Sequence, residues 1–385
     1  MREEKVRVLG IDPGTKSFDI CALEGGEVFH ESILESSDLA ENPDLLVDAI
    51  EAVMPLDLIA APSGYGVEVS YLKDLDLERL EKWYLTYVLL LKKKDLEMAV
   101  EEGNPGIMVY SAMTESALEM KRKDLPVCYI PGVVNMSTVP EYRKVNNSDM
   151  GTVDKLSCAV FGVFDQANRL EVPFSDVSFI LIEMGAGYNA GIGVENGRII
   201  DGVGGTMSGM GFLSSGEVDL EMVQLASMWD KTDVFTGGIS SMTGEELVEG
   251  FIEKKEKHEK AWNRMMEDVE KTISSLSISV SNPKEVLISG RLTRFDSVKK
   301  ELKDRLGRFA PVRKLNSLPK VEKVKEAAQG YAMVADGLKG GKFSDLIEWM
   351  KIREAEGTAL DYIQHPTGKE KVEELRKDIP FKPNR

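Results

Sequence analysis

Two stretches of the chain superimpose without a gap at an offset of 171 residues: VRVLGIDPGTKSFDICALEGGEVFH, from Val6 to His30, and VSFILIEMGAGYNAGIGVENGRIID, from Val177 to Asp201. Only five positions are identical (Val6/Val177, Ile11/Ile182, Gly14/Gly185, Glu24/Glu195 and Gly26/Gly197), so what repeats is a pattern of residue types. In each copy an apolar strand ends in a carboxylate, Asp12 or Glu183. A small-residue turn follows, and a second strand then reaches a tight turn at Gly25-Gly26 or Asn196-Gly197, dipeptides that tolerate positive φ. Such a chain is constrained to fold as two related halves.

A carboxylate at a strand end beside a glycine turn also has a chemical meaning. The turn lets successive backbone N–H groups converge on a phosphate, and the carboxylate can hold the water shell of a Mg²⁺ that screens it. Gly14, Thr15, Lys16 and Ser17 in the first copy, and Gly185, Ala186, Gly187 and Tyr188 in the second, are the candidate cradles. Asp12 and Glu183 are the candidate metal residues. Either hairpin alone reads as an ordinary structural element; the pair in register points to nucleotide phosphates.

The charge balance excludes some partners. Lys plus Arg number 48 against 65 Asp plus Glu, a net charge of −17, which disfavours broad attraction to nucleic acid or an anionic membrane. A small-molecule substrate is expected, and a homodimer is compatible with the sequence. Cys21, Cys128 and Cys158 are widely spaced, with neither a CxxC nor metal-ligand spacing. No signal-peptide-like apolar stretch opens the chain, and the longest apolar run, from Tyr84 to Leu91, is far too short to span a bilayer. A cytoplasmic location is expected.

Between the copies the pattern alternates between helix and strand, as in a layered α/β domain. Asn42-Pro43 opens a helix to about Met54, Leu58 to Ala61 is a strand, and an uninterrupted helix runs from about Leu77 to Glu101, stopped by Gly103-Asn104-Pro105-Gly106. Ile107 to Tyr110 and Val127 to Ile130 read as strands, and Asp149 to Leu170 as a helix. After the second copy come a Gly-rich segment, Gly202 to Gly216, a capping box at Thr243-x-x-Glu246, and a helix from His258 to Ile278. A strand at Glu285 to Ser289 and helices at Phe295 to Leu306 and Lys320 to Leu338 complete the second half. The expected domains are 1–170 and 171–340, with a charged helical appendage over 341–385.

These motifs resemble the superfamily of acetate and sugar kinases, heat-shock chaperone ATPases and actin. Ile11-Asp12-Pro13-Gly14-Thr15-Lys16-Ser17 looks like its first phosphate motif, Glu183-Met184-Gly185-Ala186-Gly187 its second, and Val286-Leu287-Ile288-Ser289-Gly290-Arg291 its adenosine motif. The resemblance implies an α/β fold of two related ribonuclease H-like (actin-like ATPase) domains with ATP and Mg²⁺ in the cleft between them. It also implies nucleotide contacts from Gly205, Ser289, Gly290 and Arg291. Within the superfamily the chain most resembles an uncharacterised archaeal family described as predicted butyrate kinases, to which Pro140-Glu141-Tyr142-Arg143-Lys144-Val145-Asn146 also fits. None of the three histidines, His30, His258 and His365, lies in a recognisable acyl-kinase motif.

The segment Asp149 to Leu156 looks like the connection that supplies the catalytic acid in several of these kinases, with Asp154 as the candidate. An acidic residue in a helical first turn is equally what the helix dipole favours. Arg143, Lys144 and Lys155 place three cations close in sequence to Asp154, suited to an anionic acceptor or to a solvated helix flank. A carboxylate acceptor needs no general base, whereas an alcohol would use Asp154 as one. Met207, Met210, Phe212 and Leu213 read either as an acyl pocket under a closing loop or as packing. The expected activity is ATP-dependent phosphotransfer to a short-chain carboxylate. The alternatives are an alcohol kinase and a regulatory or assembly ATPase; a carbamoyl-transferring relative is disfavoured because the paired-histidine metal motif is missing.

Overall fold

A computed structural model describes residues 5–101, 105–227 and 229–382. By internal contacts the chain divides into two compact units. The first comprises Met1–Ser148, Thr152–Phe161 and Ser317–Arg385; the second comprises Asp149–Gly151 and Gly162–Asn316.

The first unit is built on a six-stranded sheet in the order β3-β2-β1-β4-β6-β5. Its strands are β1 (Arg7–Pro13), β2 (Ser17–Glu24), β3 (Glu27–Glu35), β4 (Leu58–Ala60), β5 (Ser70–Tyr71) and β6 (Val127–Tyr129). β1, β4 and β6 run parallel, while β2, β3 and β5 pair antiparallel to their neighbours. The continuous apolar run of β1 is buried on both faces, as expected of a central strand covered by helices. One cover is the helix Glu326–Leu338, all of whose residues are buried. It lies so close to β1 that a Cβ on Gly10 would sit 2.2 Å from the Ala332 nitrogen. A Cβ on Gly330 would meet the Ser157 carbonyl at 2.1 Å, so the same helix is pressed against the start of the helix Val153–Leu170.

The second unit holds a five-stranded sheet, β11-β10-β7-β8-β9. Its strands are β7 (Phe179–Met184), β8 (Asn189–Glu195), β9 (Arg198–Val203), β10 (Glu285–Ser289) and β11 (Val312–Lys314). The helix Glu259–Leu276 covers it through Trp262, Met265, Met266, Val269 and Ile273. The repeat extends to fine geometry. β1 to β3 and β7 to β9 are the same antiparallel meander, with a register shift after Ala22 in one and after Gly193 in the other, 171 residues apart. The loop closure Gly14 N–H to Ser17 O, 3.0 Å, recurs as Gly185 N–H to Tyr188 O, 2.8 Å.

Several expectations are corrected. The division is not consecutive at 170 and 340: residues 317–385 belong to the first unit, since the helix Glu326–Leu338 docks on β1. The tail is not a separate appendage, because Phe381 stacks on Trp83 and its carbonyl accepts from the Trp83 indole at 3.0 Å. The helix expected over Leu77 to Glu101 is interrupted. Leu77–Trp83 passes into a π-helical turn, Tyr84–Val88, and Leu90 adopts φ 51° before Lys93–Glu101 resumes. Ile107 to Tyr110 is not a strand but part of the helix Pro105–Arg122. The stop expected at Gly103-Asn104 lies outside the described residues. Thr243 ends the helix Ile239–Thr243, its hydroxyl donating to the Ile239 carbonyl, so it opens no capping box. Among the described residues no helix is long and apolar enough to cross a membrane.

The tight approach at Gly10 generates a test. Gly10→Ala should destabilise the first unit by about 3 kcal/mol, since the obstacle is helix backbone that cannot rotate away. Urea denaturation followed by circular dichroism measures this, and an unchanged midpoint would contradict the packing described.

Candidate functional site

In the first unit the charged residues gather at the carboxyl ends of β1 and β4. The β1/β2 register sets Asp12 directly opposite Asp19, and both are buried. Like charges across a ladder destabilise it unless a cation intervenes. Lys325, the residue preceding the helix Glu326–Leu338, supplies it: its Nζ is 2.6 Å from Asp12 Oδ2 and 3.5 Å from Asp19 Oδ1. The Lys325 backbone N–H donates to Asp19 Oδ2 at 2.8 Å, and the Ser17 hydroxyl donates to Asp19 Oδ1 at 2.7 Å. A Cβ on Gly14 would lie 2.5 Å from Lys325 Nζ, so the glycine leaves room for the ammonium at the loop.

Asp154 enters from the first turn of the helix Val153–Leu170. The start of that helix is fixed by Val153 N–H donating to the Gly64 carbonyl at 3.0 Å, in the loop following β4. Thr152 Oγ1 donates to Asp154 Oδ1 at 2.5 Å, and Lys155 Nζ pairs with Asp154 Oδ2. Burial works to raise the Asp154 pKa, but the Lys155 ammonium and the hydrogen bonds from Lys155 and Thr152 outweigh it and hold the carboxyl below its ordinary value. Asp12 goes the other way. Burial pushes it up to about 6 against the opposing pull of Lys325, with Asp154 and Asp19 adding to the rise. The Lys325 ammonium, despite burial, is held above its ordinary value by Asp12 and Asp19.

The second unit brings together a different set. β7 and β10 run parallel with Glu183 beside Ser289, so the second phosphate motif and the adenosine motif end at the same edge of the sheet. Gly290 has φ 94°, and a Cβ there would meet Glu183 Oε1 and the Met184 carbonyl, each at 2.4 Å. Arg291 pairs with Glu249 at 2.8 Å. Gly205 abuts the Tyr188 ring, whose hydroxyl donates to the Val234 carbonyl at 2.9 Å. Lys231, close in sequence to Val234, was not singled out by sequence; burial lowers its ammonium to about 8, with Asp149 opposing.

The Gly-rich segment is hydrogen-bonded along its length to the second unit. Thr206 donates to Asp149 Oδ2 from both its backbone, 2.9 Å, and its hydroxyl, 2.8 Å, while Leu213 N–H donates to the Gly187 carbonyl at 3.0 Å. Phe212 lies in the core, and the partly buried Met210 and Leu213 pack against it. Met207 is exposed.

Of the three expected acceptor cations, Lys155 is at Asp154. The Arg143 guanidinium lies over the ring of its exposed neighbour Tyr142. Lys144 is buried and structural, donating to the Met136 carbonyl at 2.8 Å and to the Tyr362 hydroxyl at 3.2 Å. Lys16 is exposed in the loop after β1, and the cation held at Asp12 is Lys325. The facing pair of Asp12 and Asp19 calls for a cation, but nothing local in the sequence names Lys325 as that cation.

Comparison with known proteins matches these observations. A propionate kinase from Francisella tularensis subsp. tularensis SCHU S4 is similar at a TM-score of 0.55 and 13% identity, over 85% of this chain and 98% of that one. An acetate kinase from Entamoeba histolytica is similar at 0.52 and 13% identity, over 78% and 86%. No curated protein matches the sequence. The two structures show the fold that this chain shares with them. The family described as "Protein of unknown function (DUF1464)" matches residues 10–365, and the chain belongs to it.

Proposed function

We propose that the protein is an ATP-dependent phosphotransferase whose acceptor is a short-chain carboxylate. The observation that carries the reading is the convergence of Asp12, Gly14, Asp154, Lys155 and Lys325 at the carboxyl ends of β1 and β4, where open α/β sheets bind their ligands. The acetate and propionate kinase structures support a carboxylate acceptor on this fold.

The donor set fits Mg·ATP. Magnesium is usually held through one or two carboxylates and the phosphates, and Asp12 offers a carboxylate next to a loop whose glycine admits close approach. Bound there, Mg·ATP supplies the phosphoryl group and the charge that offsets the transferring oxygens. Asp12 would hold the metal's water, and the backbone of Gly14 to Ser17 would face the phosphates. In the second unit Glu183, Gly185 to Tyr188, Gly205 and Ser289 to Arg291 are assigned to the nucleotide on their motifs.

The Lys155 ammonium paired with Asp154 suits a carboxylate acceptor. A general base works best with a pKa near the operating pH. Asp154 is held below the ordinary carboxylate range, which makes it a weak base and a strong anchor for Lys155. Lys155, so fixed, draws an anionic acceptor whose oxygen is already ionised. Arg143, whose guanidinium lies over the Tyr142 ring, is assigned no step.

Hydroxylamine trapping tests the reaction. With Mg·ATP and acetate, propionate, butyrate or branched acids, hydroxamate should form with at least one acid; ATP binding without an acceptor-dependent product would favour an alcohol kinase or a regulatory ATPase. Asp154→Asn should lower turnover by roughly 100-fold or more, the size of one positioned polar group in a transition state, while leaving Mg·ATP affinity within about threefold. Full turnover in this variant would remove Asp154 from the mechanism.

A further inference from the structure

The first-unit site holds its own cation. Asp12, Asp19 and Asp154 contribute three carboxylates, and Lys155 and Lys325 two ammonium groups. Among the described residues Lys155 pairs with Asp154, and Lys325 lies within ion-pair distance of both Asp12 and Asp19. The Asp12 side chain is 4% exposed and that of Lys325 22%, so the lysine side chain is the more exposed of the two. A divalent ion coming to Asp12 would compete with Lys325 for the same carboxylate oxygens.

We propose that Lys325 is a resident counter-ion that occupies the metal's place on Asp12 until Mg·ATP arrives, and then passes to the phosphate oxygens. The ligand in this inference rests on the phosphotransferase reading above; the competition between Lys325 and a divalent ion for Asp12 does not. Three features carry it. The ammonium already lies over the phosphate loop, in the space left by the missing Cβ of Gly14. The backbone of Lys325 is tied independently to Asp19 at 2.8 Å, so the side chain can change partners while the helix start stays in place. A lysine ammonium on a flexible four-carbon stem, with three donors and no fixed fork, is suited to such an exchange. In consequence a free divalent ion binds Asp12 poorly, and the metal enters with the nucleotide, whose phosphates take over the displaced lysine.

The test uses Mn²⁺ as a paramagnetic probe on the full chain, titrated without nucleotide and read by electron paramagnetic resonance. Lys325→Met should bind Mn²⁺ at least tenfold more tightly than the unaltered protein, and adding Asp12→Asn to it should abolish the gain. The same variant should bind Mg·ATP at least tenfold more weakly by calorimetry. Lys325→Gln, which keeps a polar terminus, serves if the methionine variant does not fold by circular dichroism. Mn²⁺ affinity equal to or below that of the unaltered protein, or a gain that survives Asp12→Asn, would overturn the proposal. Should the unaltered protein fail to bind Mg·ATP, the phosphotransferase reading falls, while the Mn²⁺ comparison still decides whether Lys325 holds the metal's place.

Discussion

Two carboxylates placed face to face by a strand register set the terms for the first unit. Asp12 and Asp19 sit opposite each other on β1 and β2, buried, and would repel without a cation. Lys325 resolves the conflict from the other end of the sequence, which requires its helix to reach the end of β1 closely. Gly10 and Gly330 allow that approach, the first against helix backbone and the second against Ser157, three residues beyond Asp154. One electrostatic requirement thus ties the hairpin, the docked helix and the Asp154 turn into a single arrangement.

The second copy of the hairpin shows what the same backbone does without that requirement. Glu183 pairs with Ala190 where Asp12 pairs with Asp19, so no second carboxylate faces it. A glycine takes the neighbouring space instead: Gly290, at the end of β10, lies against the Glu183 carboxylate. The first hairpin faces two carboxylates across its ladder, and the second faces one.

Much of this was legible in the sequence. The paired pattern predicts the first two strands of each meander, because the small-residue turn after Asp12 or Glu183 and the tight turn at Gly25-Gly26 or Asn196-Gly197 bound them. Asp154 was legible as a helix-opening acid. The failures have separate physical causes. Ile107 to Tyr110 is a short apolar run that fits a strand or a buried helix equally well by pattern. The break near Leu90 carries neither glycine nor proline, so nothing local announces it. Lys144, in a run of polar residues, reads as a solvated cation, and only tertiary contacts with Met136 and Tyr362 bury it. The place of Lys325 depends on a pairing across 306 positions with Asp19, beyond the reach of any local pattern.

The central claim is that both hairpins serve nucleotide binding, and titration calorimetry of Mg·ATP measures it most directly. Saturable binding to the unaltered protein, lost on Asp12→Ala and lost again on Gly187→Val in folded protein, is the predicted result. Undiminished affinity in both variants would contradict the account, and with it the assignment of Asp12, Gly14 and Glu183 to Mg·ATP.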